Sequence, residues 1–327
     1  MMTWDERVRA IADHGFTPRQ AGFLVTVMLY AGVCLGRQYC AFGRIARGKA
    51  MYEFFDRLIE KGCATARRVR QSNACLYHVH HKPLYEAIGD PDNRHRKPTT
   101  LARAIEKLMV LDGVLATRGQ LEWLGTEREK VAYFTLSRRI AHDKLPAVTF
   151  RSAQGETVRH FVDKFPIGVA MGERHHVFLY VATRPMPMDF RLFLERHAEL
   201  LRTLPEWTVR LLIPRHLQSA RARYEQAFRE QVGTPLRRPL IEELTWFFHT
   251  RRAGDPRGDA RFQKARHAFA SPRFRALYRT WRERGDVVLD ATISSTLPEA
   301  LARRTGRLEC HVLPHTYLHL SSLVGTA

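Results

Sequence analysis

Two rhythms of apolar positions divide the chain. Up to about residue 116 they recur at three to four residues, and from about residue 156 short apolar runs alternate with longer helical patterns. The stretch "FTPRQAGFLVTVMLYAG" predicts a first helix. Thr17 stands where a hydroxyl caps open amides, Pro18 takes the first helical position, Phe23, Val27 and Tyr30 form a stripe, and Gly32 ends it. A short polar helix, "GRQYCAFGRIA", follows from about Gly36, and Gly48 breaks the chain before "KAMYEFFDRLIEKG". In this third helix Met51, Phe54, Phe55, Leu58 and Ile59 fall on one face, and Lys49, Tyr52, Glu53, Asp56 and Arg57 on the other. Gly62 closes it. "CATARRVR" and "ACLYHVH" predict antiparallel strands around the polar turn "QSN".

Three helices followed by a hairpin is the order of a winged helix-turn-helix, expected over residues 1–90. The polar stretch "GDPDNRHRKPTT" predicts a linker, and 91–145 is expected to hold it, the helix "TLARAIEKLMVLDGVLA" and further short strands or turns. Residues 146–327 are expected to form an α/β domain with the strands "VRHFVDKFPIGVAM", "HHVFLYVAT" and "WTVRLLIP". The helix "DFRLFLERHAELLRTL" lies between the last two and predicts a parallel βαβ crossover. Arg-dense helices follow, then a late strand at "DVVLDATI" and a last strand in "RLECHVLPHTYLHL". The predicted class is therefore mixed α/β: a winged helix and a sheet-and-helix domain.

Charge turns this architecture toward a polyanion. The 327 residues carry 53 Lys and Arg, mostly Arg, against 33 Asp and Glu, a formal net charge of +20. Guanidinium forks pair well with phosphate. In a winged helix the third helix enters the major groove while the hairpin touches backbone. The candidate contacts are Arg44, Arg47, Lys49, Tyr52, Glu53 and Arg57 around the helix and Arg67, Arg68 and Arg70 on the wing. The wing arginines should hold phosphate, with Lys49, Tyr52 and Glu53 reaching base edges. Duplex DNA is the expected partner, ahead of single strands, with a homodimer or other protein contact through the C-terminal domain.

Other chemistries lack their residues. The five cysteines form no C-x-x-C pair, which points to free thiols and no zinc ribbon. "HVHH" at 78–81 has no matching acid or thiol, and Pro314 interrupts the spacing of His311, His315 and His319, so no metal or cofactor is expected. Phosphate-binding glycine loops and a G-x-S-x-G elbow are absent. A restriction-endonuclease-like core needs an acid on one strand and E-x-K on the next. Here Asp163 and Lys164 are expected on the first strand and Glu173 in a turn, but the next strand has neither acid nor lysine. The N-terminus has no apolar signal segment and the longest apolar run is too short to span a bilayer, so a cytoplasmic protein is expected.

The segments "TPRQAGFLVTVMLYAG" and "GKAMYEFFDRLIEKGCATARRVR" with "LYHV", together with the later D-K strand and βαβ unit, resemble the replication-relaxation (mobilisation-accessory) family of bacterial plasmids and integrative elements. The resemblance covers residues 17 to about 214. It implies an N-terminal winged helix and a nuclease-like fold that often lacks its active site. The expectation is a non-catalytic DNA-binding protein acting in regulation, replication or transfer. The alternatives are a metal-dependent nuclease and a protein–protein adaptor.

Overall fold

The structure is a computed structural model that describes residues 2–68, 75–152, 155–170, 172–254, 256, 258–315 and 317. It is a mixed α/β chain in two compact units. The first comprises Met1–Gly125 with Pro214–His216 and Val312–Ala327, and the second Thr126–Ile213 with Leu217–His311. The division falls at 125/126, where the sequence suggests boundaries at 90/91 and 145/146. Among the described residues no helix is long and apolar enough to cross a membrane.

The first unit opens with a helix that the apolar pattern does not announce, α1 (Trp4–Ala12). Its start is a capping box: the Thr3 hydroxyl accepts from the Glu6 amide, and the Glu6 carboxylate from the Thr3 amide. Helix α2 (Pro18–Tyr30) begins as expected, with Thr17 and Gln20 capping reciprocally. It does not bury a stripe, however: every residue from Gln20 to Tyr30 is buried, making α2 the central post of the unit. Gly32 follows at φ +70°, and a Cβ there would stand 2.4 Å from the His95 carbonyl oxygen. Only glycine fits that approach.

Then come β1 (Val33–Leu35), α3 (Gly36–Gly43), α4 (Lys49–Glu60), β2 (Ala64–Arg68) and β3 (Cys75–Val79). The strands form an antiparallel sheet in the order β1-β3-β2, with Cys34 opposite Tyr77 and Ala66 opposite Tyr77 on either side. Phe54 and Phe55 of α4 anchor this layer. Phe54 stacks on Tyr39 at 4.4 Å between ring centroids, and Phe55 on Tyr77 at 3.8 Å. Ile59, expected on the apolar face, is 41% exposed at its margin.

Helix α5 (Lys82–Ala87) and a 3-10 turn at Arg94–Arg96 follow. The expected linker is in fact packed, because it satisfies its own polar groups. Asn93 and His95 are buried, and the Asn93 side-chain oxygen accepts from the His95 amide at 2.7 Å. Helix α6 (Leu101–Ala116) packs on α2, α3 and β1, and β4 (Leu121–Leu124) follows.

The second unit begins with α7 (Glu127–Ala132), running into a π-turn at Tyr133–Ser137 where strands or turns were expected. The hairpin β5 (Ala147–Ser152) and β6 (Gly155–His160) leads to β7 (Ile167–Ala170) and β8 (His175–Val181). The single strand expected over "VRHFVDKFPIGVAM" is broken, because Phe161 and Lys164 adopt left-handed backbone (φ +48° and +66°) and turn the chain between β6 and β7. Helix α8 (Met188–Thr203) carries the chain to β9 (Glu206–Ile213), which pairs parallel to β8 with Val177 opposite Thr208. This is the expected βαβ crossover, and both faces of β8 and β9 are buried, as parallel strands require.

A helical layer follows: α9 (Arg221–Val232), α10 (Arg238–Ala253), α11 (Ala260–Ala268), α12 (Pro272–Arg284), α13 (Val287–Ala291) and α14 (Thr296–Ala302), before β10 (Gly306–Val312) joins β9. The late strand expected at "DVVLDATI" is instead α13. Val288 and Leu289 complete a core with Leu244, Phe247, Phe248, Phe262 and Trp281, so tertiary packing overrides the β-branched run.

Candidate nucleic-acid interface

The sequence-derived residues fall into three groups. Lys49, Tyr52, Glu53, Asp56 and Arg57 line the exposed face of α4, opposite its buried Met51, Phe54, Phe55 and Leu58. That face is balanced in charge. Lys49 pairs with Glu53 at 3.6 Å one turn on, with both side chains largely solvated, so the pair contributes little stability. The cationic excess lies just before the helix. Arg44 and Arg47 stand exposed in the loop that delivers α4.

Arg44 holds φ +50°, ψ +45° as the residue ending α3, a left-handed position that glycine or asparagine fills at lower cost. Packing brings two further arginines toward it that no sequence motif singles out. The Arg118 guanidinium lies 3.7 Å from the Phe42 ring centroid and donates to the Phe42 carbonyl at 2.7 Å. Burial first, and then the neighbouring Arg44 charge, pull Arg118 below the usual guanidinium range. The side chain of Arg19, in the first turn of α2, runs along Gly43, where a Cβ would sit 3.1 Å from its Cδ. No spacing in the chain joins residues 19, 44 and 118; only the packing of α2, α3 and α6 does.

Along the chain, Arg44 and Arg47 lead from this cluster into α4. Gly48 is the N-cap, no side chain caps the helix, and its first turn holds no acid. Open amides at a helix start carry partial positive charge and suit an anion.

The wing arginines do not act as one row. Side chains alternate across a strand, and Arg68 shares the Tyr77 face, the one α4 packs on, while Arg67 shares the opposite face with His78. Their influence agrees: Arg68 acts on Cys75, Arg67 on His78. Arg70 and the expected "QSN" turn lie outside the described residues.

His78 and His80 are neighbours, with ring centroids 5.7 Å apart, but His78 Nε2 donates to the His95 carbonyl at 3.0 Å and burial holds its pKa below the usual imidazole range. His311 lies 3.5 Å from Glu309, and His319 is outside the described residues. No group of three His, Cys, Asp or Glu side chains among the described residues could hold a metal ion.

Asp163 sits in the turn after β6 and not on a strand as expected. One carboxylate oxygen accepts from the Phe165 amide at 3.0 Å, and the other faces buried His197 at 3.4 Å. Lys130, also buried, donates to the Phe165 carbonyl and lies over the Phe161 ring. Glu173 occupies a turn and faces Arg138 at 3.8 Å. The Asp163 and Lys130 contacts brace the turn between β6 and β7, and the Glu173 pair the turn between β7 and β8. No family model, curated protein or solved structure matches the chain.

Proposed function

We propose that the first unit is a winged helix that binds duplex DNA, and that the protein is a non-catalytic DNA-binding component of a plasmid or integrative element. The observation that carries this reading is the convergence of Arg19, Arg44 and Arg118 at the end of α3, followed along the chain by the uncapped start of α4 and its polar face. The order α2, β1, α3, α4, β2, β3 with sheet order β1-β3-β2 is the order of a winged helix and supports it. In this reading Arg44, Arg47 and the first amides of α4 grip phosphate, and Lys49, Tyr52, Glu53 and Arg57 face the major groove. Arg68 extends the α4 surface, and Arg67 reaches backbone from the other face of the wing. The β8-α8-β9 crossover, with Asp163 engaged by His197, reads as a nuclease-like core whose acid serves structure.

Fluorescence anisotropy on duplex DNA over a salt series tests the proposal. Replacing Arg44, Arg47 and Lys49 by Gln together should flatten the slope of log affinity against log salt by roughly two to three, about 0.9 for each phosphate no longer neutralised. An unchanged slope would remove the DNA reading of this surface. DNA cut in the presence of magnesium would overturn the non-catalytic part.

A further inference from the structure

The second unit carries a basic surface that the winged-helix reading does not use. Between residues 237 and 284 there are thirteen Lys and Arg against five Asp and Glu. Among the described residues, two of the four acids are already engaged. Asp259 caps α11 by accepting from the Arg261 and Phe262 amides, and Glu283 faces Arg196 at 3.5 Å. Glu242 and Glu243 are exposed in the opening turns of α10, about two turns from Arg251 and one turn before Trp246. The cations are left uncompensated. Arg251, Arg261, Arg266, Arg275, Arg279 and Arg282 are all exposed, and none pairs with a carboxylate among the described residues.

Their arrangement is ordered. Arg275, Arg279 and Arg282 recur at intervals of four and three along α12 and so share one helix face. Like charges at this spacing repel and weaken the helix, a cost that a bound polyanion relieves. From α10, the Arg251 guanidinium lies 4.5 Å from the ring centroid of Tyr278, which borders that face. Arg261 of α11 lies 3.8 Å from the Trp246 ring centroid. Guanidiniums laid on rings are held in place without losing their outward donors.

We propose that α10, α11 and α12 form a second DNA-binding surface, one that grips the phosphate backbone of duplex DNA without reading its sequence. The charge on the α12 face has one sign and belongs to arginine, whose planar fork matches phosphate oxygens. Single-strand binding would need open aromatic faces for base stacking. Here Arg251 and Arg261 cover the Tyr278 and Trp246 rings, and Trp281 is buried. The proposal stands apart from the α4 interface and does not depend on it.

The test uses the full chain carrying Gln in place of Arg44, Arg47, Lys49, Arg57, Arg67 and Arg68, so that the α4 and wing surface is silenced. Salt-dependent duplex binding should persist in this background. Adding Arg275→Gln, Arg279→Gln and Arg282→Gln should remove a further two to three from the salt slope, at about 0.9 per phosphate, and the three Lys replacements should retain it. Arginine-selective modification of the unaltered protein, read by mass spectrometry, should show these three protected by duplex DNA. That measurement does not depend on any variant folding. Flat binding in the silenced background, or no protection, would overturn the proposal. So would loss of binding to phosphatidylserine vesicles with DNA binding unchanged, which would make the patch a membrane surface.

Discussion

The exposed faces of α4 and α12 make opposite uses of charge. On α4, cations and acids are mixed, Lys49 leans on Glu53, and the excess positive charge sits in the loop before the helix. On α12, three arginines share a face and the nearby acid, Glu283, turns to Arg196. A mixed face on a rigid support can discriminate, because each donor and acceptor must find its complement in the groove. A single-sign face attracts any phosphate equally and carries no sequence information. The α4 face accordingly rests on stacked rings packed as a core, whereas arginines at the edge of the α12 surface lie on rings they shield from solvent.

The strongest way to break this comparison is to remove the support beneath α4. Phe54 is fully buried against Phe16, Phe23, Tyr39 and Phe55. Phe54→Ala should cost about 3–5 kcal/mol, read as a lowered denaturant midpoint. Any preference among duplex sequences should vanish while unselective binding survives.

A smaller effect distinguishes the second unit by pH. Burial pushes the Glu195 carboxyl up to about 7, with Arg273, Arg202, Arg191 and Arg284 pulling the other way, beside a small cavity lined by Gln231, Thr234 and Ser294. The folded state thus keeps a proton that the unfolded chain releases from about pH 4.5 upward, so this group's contribution to stability falls as pH rises from there to about 7. Glu195→Gln should abolish that decline, worth roughly 3 kcal/mol across the window, in denaturation curves followed by pH. A wild-type curve with the same slope as the variant's would refute the assignment.

The smallest effect sharpens the contrast within the first unit. Thr17→Ala removes the hydroxyl that caps α2 and should lower stability by about 1 kcal/mol. Because the Thr17 hydroxyl carries no charge and neutralises no phosphate, the salt slope of DNA binding should stay unchanged.

Much of the α4 region is legible in the sequence because local signals agree there. Thr17 and Pro18 start α2, Gly48 and Gly62 bracket α4, and the apolar interval places Phe54 and Phe55 inside. The β8-α8-β9 crossover is equally plain, since a strand-length apolar run on each side of an amphipathic helix admits few topologies. The cluster beside Arg44 is not legible, because Arg19 and Arg118 reach it through folding across 25 and 74 positions of chain. The turn holding Asp163 is hidden by an apolar pattern that continues through it, and only the left-handed Phe161 and Lys164 reveal the break. Charge is legible as a total, but not as a distribution between two faces.

One bond sets a schedule for the whole chain. The Tyr317 hydroxyl donates to the Asp112 carboxylate, which also holds Arg37 at 2.7 Å and accepts from the Gln38 side-chain amide at 2.9 Å. Asp112 and Tyr317 are 205 positions apart in the chain. At a synthesis rate of roughly 5–20 residues per second, the nascent first unit waits on the order of 10–40 s for its last piece. The second unit's residues emerge during that interval, so a contact inside the first unit forms only after the second has been made.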